Sequence, residues 1–360
     1  MHGDCDSVDT YRGICHHCFM TLSRYLAILS LVIFLSLFDG MKWAIAERVE
    51  SPEASEAVLD DGNISLDETL FYQDRFIFKN KSVDDLFIVI FTFERGRQKE
   101  GYYGEFFGAV FEQAQWSLFE GNDKYSYASS NLETIFPSYY AKVEGSTVSG
   151  FVVAYDGGDY TLKLSSGPLQ SVYTVHEGET LKKNIGITEA VVTLNGKEYW
   201  GDLVHETLSW KGFEGLDRHK ELYKNYEAFY LETEGGRQIF FHKNRADRHA
   251  FLKKYGLADT LKSEGGVVLE GLKTVYRLKT PIALSSTNRV TPPFALYTVP
   301  ERWEVPLNAD FGSLFLWTRG KTSINWVFGG YLIMAIEGVI KKEGEDGEGE
   351  RVYGFAEYFP

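Results

Sequence analysis

The sequence predicts an all-β protein whose antiparallel strands close into barrels or sandwiches. Three observations carry this. Short apolar and aromatic runs recur along the chain, separated by glycine turns. Aromatic residues make up 15% of the chain, and Phe and Tyr, which favour strands, dominate that set. Helical signals are few. Many evenly spaced antiparallel strands of this kind resolve as a sandwich or a barrel.

A presequence comes before the strands. Arg24 forms a short basic region, Tyr25 to Phe38 is apolar, and Asp39, Gly40 and Lys42 break the run ahead of Ala44-Ile45-Ala46. This is the layout of a cleavable signal peptide, and the apolar stretch falls short of the roughly 20 residues that span a bilayer. The expected start is Met20 and the expected cleavage follows Ala46, which sends the mature chain to the periplasm or outside the cell. The competing possibility is an uncleaved N-terminal anchor. All three cysteines, Cys5, Cys15 and Cys18, lie in this stretch, so the mature chain cannot be a disulfide scaffold. Cys15-His16-His17-Cys18 has no second ligand pair, and neither a metal site nor a cofactor is expected.

Residues 47–66 are polar and acidic and read as a flexible lead-in. The whole chain carries a formal charge of −14 without a basic cluster, which argues against nucleic acid and anionic membrane surfaces as partners. Hairpins then follow in order. Phe151–Tyr155 and Tyr160–Leu164 flank Asp156-Gly157-Gly158-Asp159, while Val191–Leu194 and Glu198–His205 flank Asn195-Gly196. Ala228–Glu232 and Arg237–His242 flank Glu234-Gly235-Gly236, and an acidic glycine loop joins Leu332–Lys341 to Arg351–Phe359. Arg245 to Tyr255 is the best helix, with Asn244 as N-cap and Gly256 past its end. Glu112 to Phe119 reads equally as a short helix or a strand. Strand patterning lapses between Gly212 and Lys220, which divides the mature chain into domains at 67–215 and 216–360.

The final 60 residues carry a resemblance. Glu301-Arg302-Trp303-Glu304-Val305-Pro306 is followed by Phe315-Leu316-Trp317, Tyr331, Glu337-Gly338 and Val352-Tyr353-Gly354-Phe355-Ala356-Glu357-Tyr358. This order resembles the closing segment of the carotenoid 1,2-hydratase/AttH-like family, and Tyr226 to Phe241 looks like the strand pair that opens its second barrel. The resemblance covers residues 145–360 and implies two lipocalin-like β-barrels. Gly201 to Trp210 stands where the family carries an Asp-His-Glu-Trp-like motif. His205-Glu206 match its centre, but Val204 replaces the Asp and Trp210 is displaced, which puts a family-type hydratase activity in question.

Candidate chemistry rests on strand faces. Along Glu198 to Thr207, Trp200, Asp202, Val204 and Glu206 share one side, and Tyr199, Leu203 and His205 share the other. If the Trp200 side faces into an apolar barrel, Asp202 and Glu206 have raised pKa values there and can donate a proton to an alkene. Aromatic faces would then stabilise the carbocation. If that side faces water, His205 is a packed residue. Tyr353, Phe355, Glu357 and Phe359 also share a face, which makes Glu357 a further candidate acid unless the strand end is solvated. Trp200, His205, Trp303, Trp317, Tyr353 and Phe355 are the candidate ligand-binding residues. Tyr102, Tyr103, Phe106, Phe107, Phe111 and Trp116, interleaved with glycines, suit the wall of a small barrel, as core or as ligand contacts. No P-loop, Gly-x-Ser-x-Gly elbow or His-Glu-x-x-His motif is present.

These observations predict an exported protein that binds a hydrophobic small molecule or lipid in or between its barrels, with no membrane span after signal cleavage. Two alternatives stay open: an acid-catalysed hydratase, isomerase or cyclase acting on such a ligand, and a non-catalytic envelope interaction module.

Overall fold

The computed structural model describes residues 71–359, apart from 83, 99–100, 120–123, 128–140, 178–180, 211–225, 245–262, 272, 279, 292–296, 309–310, 326–331, 343 and 345–346. Two antiparallel sheets account for these residues. The first contains β1 (Phe71–Asn80), β2 (Ile88–Gln98), β3 (Gly101–Glu112), β4 (Gln115–Leu118), β5 (Lys124–Tyr127), β6 (Ala141–Ser146), β7 (Gly150–Gly157), β8 (Tyr160–Ser166), β9 (Ser171–Glu177), β10 (Leu181–Leu194) and β11 (Lys197–Trp210). The second contains β12 (Tyr226–Thr233), β13 (Gln238–Asn244), β14 (Ser263–Glu270), β15 (Lys273–Arg277), β16 (Ser285–Val290), β17 (Val299–Asn308), β18 (Gly312–Asn325), β19 (Leu332–Lys341) and β20 (Glu350–Phe359). No helix occurs among the described residues.

Both sheets are wound alike. The first runs β4-β3-β2-β1-β11-β10-β8-β7-β6, with β5 against β3 and β9 against β10. The second runs β15-β14-β13-β12-β20-β19-β18-β17-β16. In each, the first strand pairs with the last, so β1 lies against β11 and β12 against β20. The result is two lipocalin-like barrels, the expected fold class.

Three apolar clusters hold them. The first barrel encloses aromatic rings, among them Phe76, Phe91, Phe106, Phe119, Phe151 and Tyr155. These rings touch one another: Phe119 stacks on Tyr155 at 4.4 Å, and Phe76 meets Phe151 edge-on at 5.0 Å. The second barrel encloses Phe229, Phe241, Trp303, Leu316, Met334 and Ile336. The third cluster lies between the barrels, where Ile77, Ile90 and Val204 of the first meet Tyr230, Phe240 and Phe355 of the second. Each such side chain contributes about 1.5–3 kcal/mol when fully buried, so the seam is a core in its own right.

Local turn chemistry is where the sequence put it. Asn195 and Gly196 have φ of 49° and 85°, the left-handed pair that a tight hairpin between β10 and β11 requires. Glu112 to Phe119 is a hairpin rather than a helix, turning at Gln113 and Ala114 between β3 and β4. Gly354 has φ of +154°, and a Cβ there would stand 2.0 Å from the Tyr230 carbonyl oxygen. Only glycine lets β20 approach β12 so closely, and that approach helps set Glu357 opposite Ala228, two residues along β12 from Tyr230. The signal peptide, the domain boundary at 215/216 and the helix at Arg245–Tyr255 fall outside the described residues.

Candidate active site between the barrels

The alternation of β1 and β11 positions the site. Phe76, Phe78, Tyr199 and Leu203 point into the first barrel, and Arg75, Ile77 and Lys79 on β1 line up with Glu206, Val204 and Asp202 on β11 toward the second. The face carrying Asp202, Val204 and Glu206 is therefore the outer face of the first barrel, not its interior. Of the two alternatives left open, a barrel interior and a face in water, neither describes Asp202 and Glu206, which are covered by the second barrel. His205 is the packed residue of the second alternative.

A buried polar group forms where this face meets β12 and β20. Arg75 donates to both carboxylate oxygens of Glu357, with Nη1 2.9 Å from Oε2, and the same Nη1 stands 3.4 Å from Glu206 Oε1. Lys183 Nζ on β10 lies 2.8 Å from Glu206 Oε2 and donates to the hydroxyls of Tyr226 and Tyr230 at 2.6 and 3.1 Å. Tyr230 in turn donates to Glu206. Two cations balance two carboxylates, and none of these four side chains is more than 4% exposed. Glu357 is thus buried on the strand face it shares with Tyr353, Phe355 and Phe359, and is not a solvated strand end.

Electrostatics decide which proton each group keeps. Burial alone would raise the Glu206 pKa, but the charges of Lys183 and Arg75 and the hydrogen bonds from Lys183 and Tyr230 outweigh it. The carboxyl is held below the usual carboxylate range. Tyr230 shifts the other way. Burial, then the charges of Glu206, its neighbour Tyr226 and Glu357, hold it as a phenol well above its ordinary value, with Arg75 opposing. Glu206 is accordingly held as a carboxylate rather than the protonated acid that an apolar barrel would have made it.

This has a measurable consequence. The folded pKa of Glu206 lies below its unfolded value, so its contribution to stability is complete above the ordinary 4.5 and is lost as pH falls through the lower folded value. Urea midpoints are expected to fall more steeply with acidification in the wild type than in Glu206→Gln. Parallel slopes would assign the acid loss to other carboxylates.

The remaining candidates fall in different places. Asp202 and Tyr353 belong to a second polar group further along the seam. There Lys79 pairs with Glu232, its Nζ lies 4.6 Å from the Tyr353 ring, and Gln238 Nε2 donates to Asp202 at 2.9 Å. Burial lowers the Lys79 pKa, with Glu232 and Asp202 opposing. Phe355 packs in the seam between the two groups, stacked on Tyr230 at 4.6 Å. His205 lies inside the first barrel, 3.0 Å from Asp74 and stacked on Phe76 at 4.8 Å. Trp303 is in the second barrel, 3.4 Å from Glu227, and Trp317 is half-buried on its outside, donating to Glu337 at 2.7 Å. Trp200 is 70% exposed and takes no part in the seam. Among the described residues no three His, Cys, Asp or Glu side chains gather as a metal site.

No family model and no curated protein matches the sequence. Solved structures do match. A protein assigned as AttH, from Nitrosomonas europaea, superposes with a TM-score of 0.56 at 10% identity, covering 86% of this chain and 98% of that one. The fold is that of the AttH-like proteins. Kievitone hydratase from Nectria haematococca superposes at 0.52, with 10% identity over 86% and 97% of the two chains. At that identity the AttH-like resemblance is one of fold, and no residue role is carried across by it.

Arg75, Lys183, Tyr226 and Tyr230 were not legible as site residues. One signal was available. Gln73, Arg75 and Lys79 alternate with Phe76 and Phe78 in a strand whose neighbours are apolar, a pattern that places charge on a face. Nothing in the sequence says that this face is covered by a second barrel.

Proposed function

We propose that the protein is an enzyme of the hydratase or isomerase class, acting on a small hydrophobic molecule at the polar group between its barrels. The carrying observation is a charge-balanced set, Arg75, Lys183, Glu206 and Glu357 with Tyr230, enclosed in an apolar seam. The hydratase among the fold neighbours favours catalysis over carriage. Export of the mature chain, residues 47–360, is part of the same proposal.

The protonation states select the chemistry. An ionised Glu206 cannot protonate an isolated alkene, and a Tyr230 phenol is too weak an acid to generate a carbocation. A carboxylate beside phenol and ammonium donors suits a double bond conjugated to a carbonyl. Glu206 takes a proton from water as the water oxygen bonds to the β carbon. Negative charge then develops on the carbonyl oxygen, where Tyr230 and Lys183 donate to it. The proton passes to the α carbon, which completes addition of water. Engaging Tyr230 and Lys183 with substrate removes two of the interactions that lower the Glu206 pKa, so binding itself makes Glu206 a better base.

The test uses the protein as its cell processes it, incubated in oxygen-labelled water with a panel of straight-chain enones led by undec-3-en-2-one. Label is expected at the β carbon, with the rate falling by about 100-fold or more in Glu206→Gln. No conversion across the panel, or conversion untouched by Glu206→Gln, sinks the reading. Lipid extraction with native mass spectrometry then decides whether a carrier remains.

A further inference from the structure

The seam is polar at both ends and apolar in the middle along three of its strands, β1, β11 and β20. Along β1 the seam face reads Arg75, Ile77, Lys79, and along β11 it reads Glu206, Val204, Asp202. Along β20 it reads Glu357, Phe355, Tyr353, and β12 places Tyr230 opposite Phe355 and Glu232 opposite Tyr353. Four residues of strand separate the two polar ends, roughly 13 Å at about 3.3 Å per residue.

The outer end has its own chemistry. Lys79 is paired with Glu232, and Lys81 stands 3.3 Å from both Asp202 and Glu189, so each cation there already faces a carboxylate. Gln238 is 6% exposed, and its Nε2 is committed to Asp202, which fixes the orientation of the amide. Its Oε1 is buried and has no donor among the described residues. A buried acceptor left without a donor is costly, and a ligand hydroxyl would satisfy it. Exposure also rises in this direction. Side chains are 1% exposed at Glu206, 10% and 11% at Asp202 and Lys79, and 51% at Lys81. The outer end is the one nearer to solvent.

We infer that the substrate is a neutral molecule with two polar ends, whose trailing hydroxyl is read by Gln238 about 13 Å from the reacting carbonyl. This rests on the catalytic reading given above and deepens it. Each cation at the two ends already faces a carboxylate, so a carboxylate or phosphate headgroup is excluded, because it would bring an uncompensated negative charge into an apolar seam. The substrate enters carbonyl first, and its hydroxyl lodges last, beside Asp202 and Gln238.

The experiment compares binding of undec-3-en-2-one with that of 11-hydroxyundec-3-en-2-one by calorimetry, in the wild-type full chain and in Gln238→Leu. The wild type is expected to favour the hydroxylated ketone by about 10-fold, and the ratio to fall to about 1 in the variant. Gln238→Asn, which withdraws the acceptor while staying polar, is expected to lose the preference too and serves if the leucine variant does not fold. Equal binding in the wild type, or a preference that survives both substitutions, overturns the inference and leaves the catalytic reading standing. A Gln238-dependent preference without turnover supports the inferred site and removes the catalytic reading. Failure of both ketones to bind overturns both.

Discussion

Arg75→Met is expected to lower stability by about 3–5 kcal/mol, the cost of breaking a buried ion pair from one side. The substitution keeps most of the side-chain volume, so the loss does not come from a cavity. It comes from charge. Glu357 loses the guanidinium that engages both of its oxygens, and Glu206 loses one of its two cations. Lys183 then faces two carboxylates alone in a seam whose other members are Ile77, Val204, Tyr230 and Phe355. Neutralising the stranded partner tests this account directly. In Arg75→Met with Glu357→Gln, the charges return to one against one, and most of the stability is expected to return. Urea titrations of the wild type, the single variants and the double variant form the cycle. A loss below about 1 kcal/mol for Arg75→Met would be the behaviour of an exposed pair and would mean that water reaches the cluster.

Tyr230→Phe separates catalysis from stability. The ring stays, stacked on Phe355 at 4.6 Å with planes 7° apart and edge-on to Phe240 at 6.1 Å. Only the hydroxyl is lost. That hydroxyl donates to Glu206 and accepts from Lys183 at 3.1 Å and Arg75 at 3.4 Å. Stability is expected to fall by about 1–3 kcal/mol, the usual cost of a buried hydrogen bond to a charged group. Turnover of the conjugated ketone is expected to fall by about 100- to 1,000-fold in kcat with little change in KM, because the donor acts on charge that exists only in the transition state. The pH profile should move as well. In the free enzyme the Tyr230 hydrogen bond helps to lower the Glu206 pKa, so its removal raises that pKa and shifts the acid limb of kcat/KM to higher pH. Tyr226→Phe is the control. Its hydroxyl meets Lys183 but not Glu206 in the described contacts, and it should cost less than tenfold in kcat by this account. Equal losses in the two variants would assign Tyr230 a structural role.

Much of the fold was legible because it is written in local chemistry. Asn195-Gly196 can form only a few turns, and Asp156-Gly157-Gly158-Asp159 bends between two apolar runs, so both hairpins were found with their strands. Strand alternation also sorted side chains correctly. Trp200, Asp202, Val204 and Glu206 do share one face, and Tyr199, Leu203 and His205 share the other. The site was legible in part for the same reason: Glu206 and Glu357 were singled out, and both are in the buried cluster.

What alternation cannot supply is a direction. Period two groups residues into two faces and is silent on which one turns inward, because both faces of β11 are buried from Gly201 to Leu208. The Tyr199 face fills the first barrel, and the Asp202 face is covered by a second barrel whose contacts come from 24 to 282 positions along the chain. That docking brings Arg75 to Glu357 and Tyr230 to Glu206, contacts between residues whose neighbours in sequence give no hint of each other. It also reverses the protonation state, since a carboxyl alone in an apolar barrel would be raised while one beside Lys183 and Arg75 is lowered. The sequence by itself determined strands, turns and the pairing of faces, since these depend on neighbours a few residues apart. Only the tertiary structure decided where those faces meet, because charge and burial at Glu206 are set by residues from the other barrel.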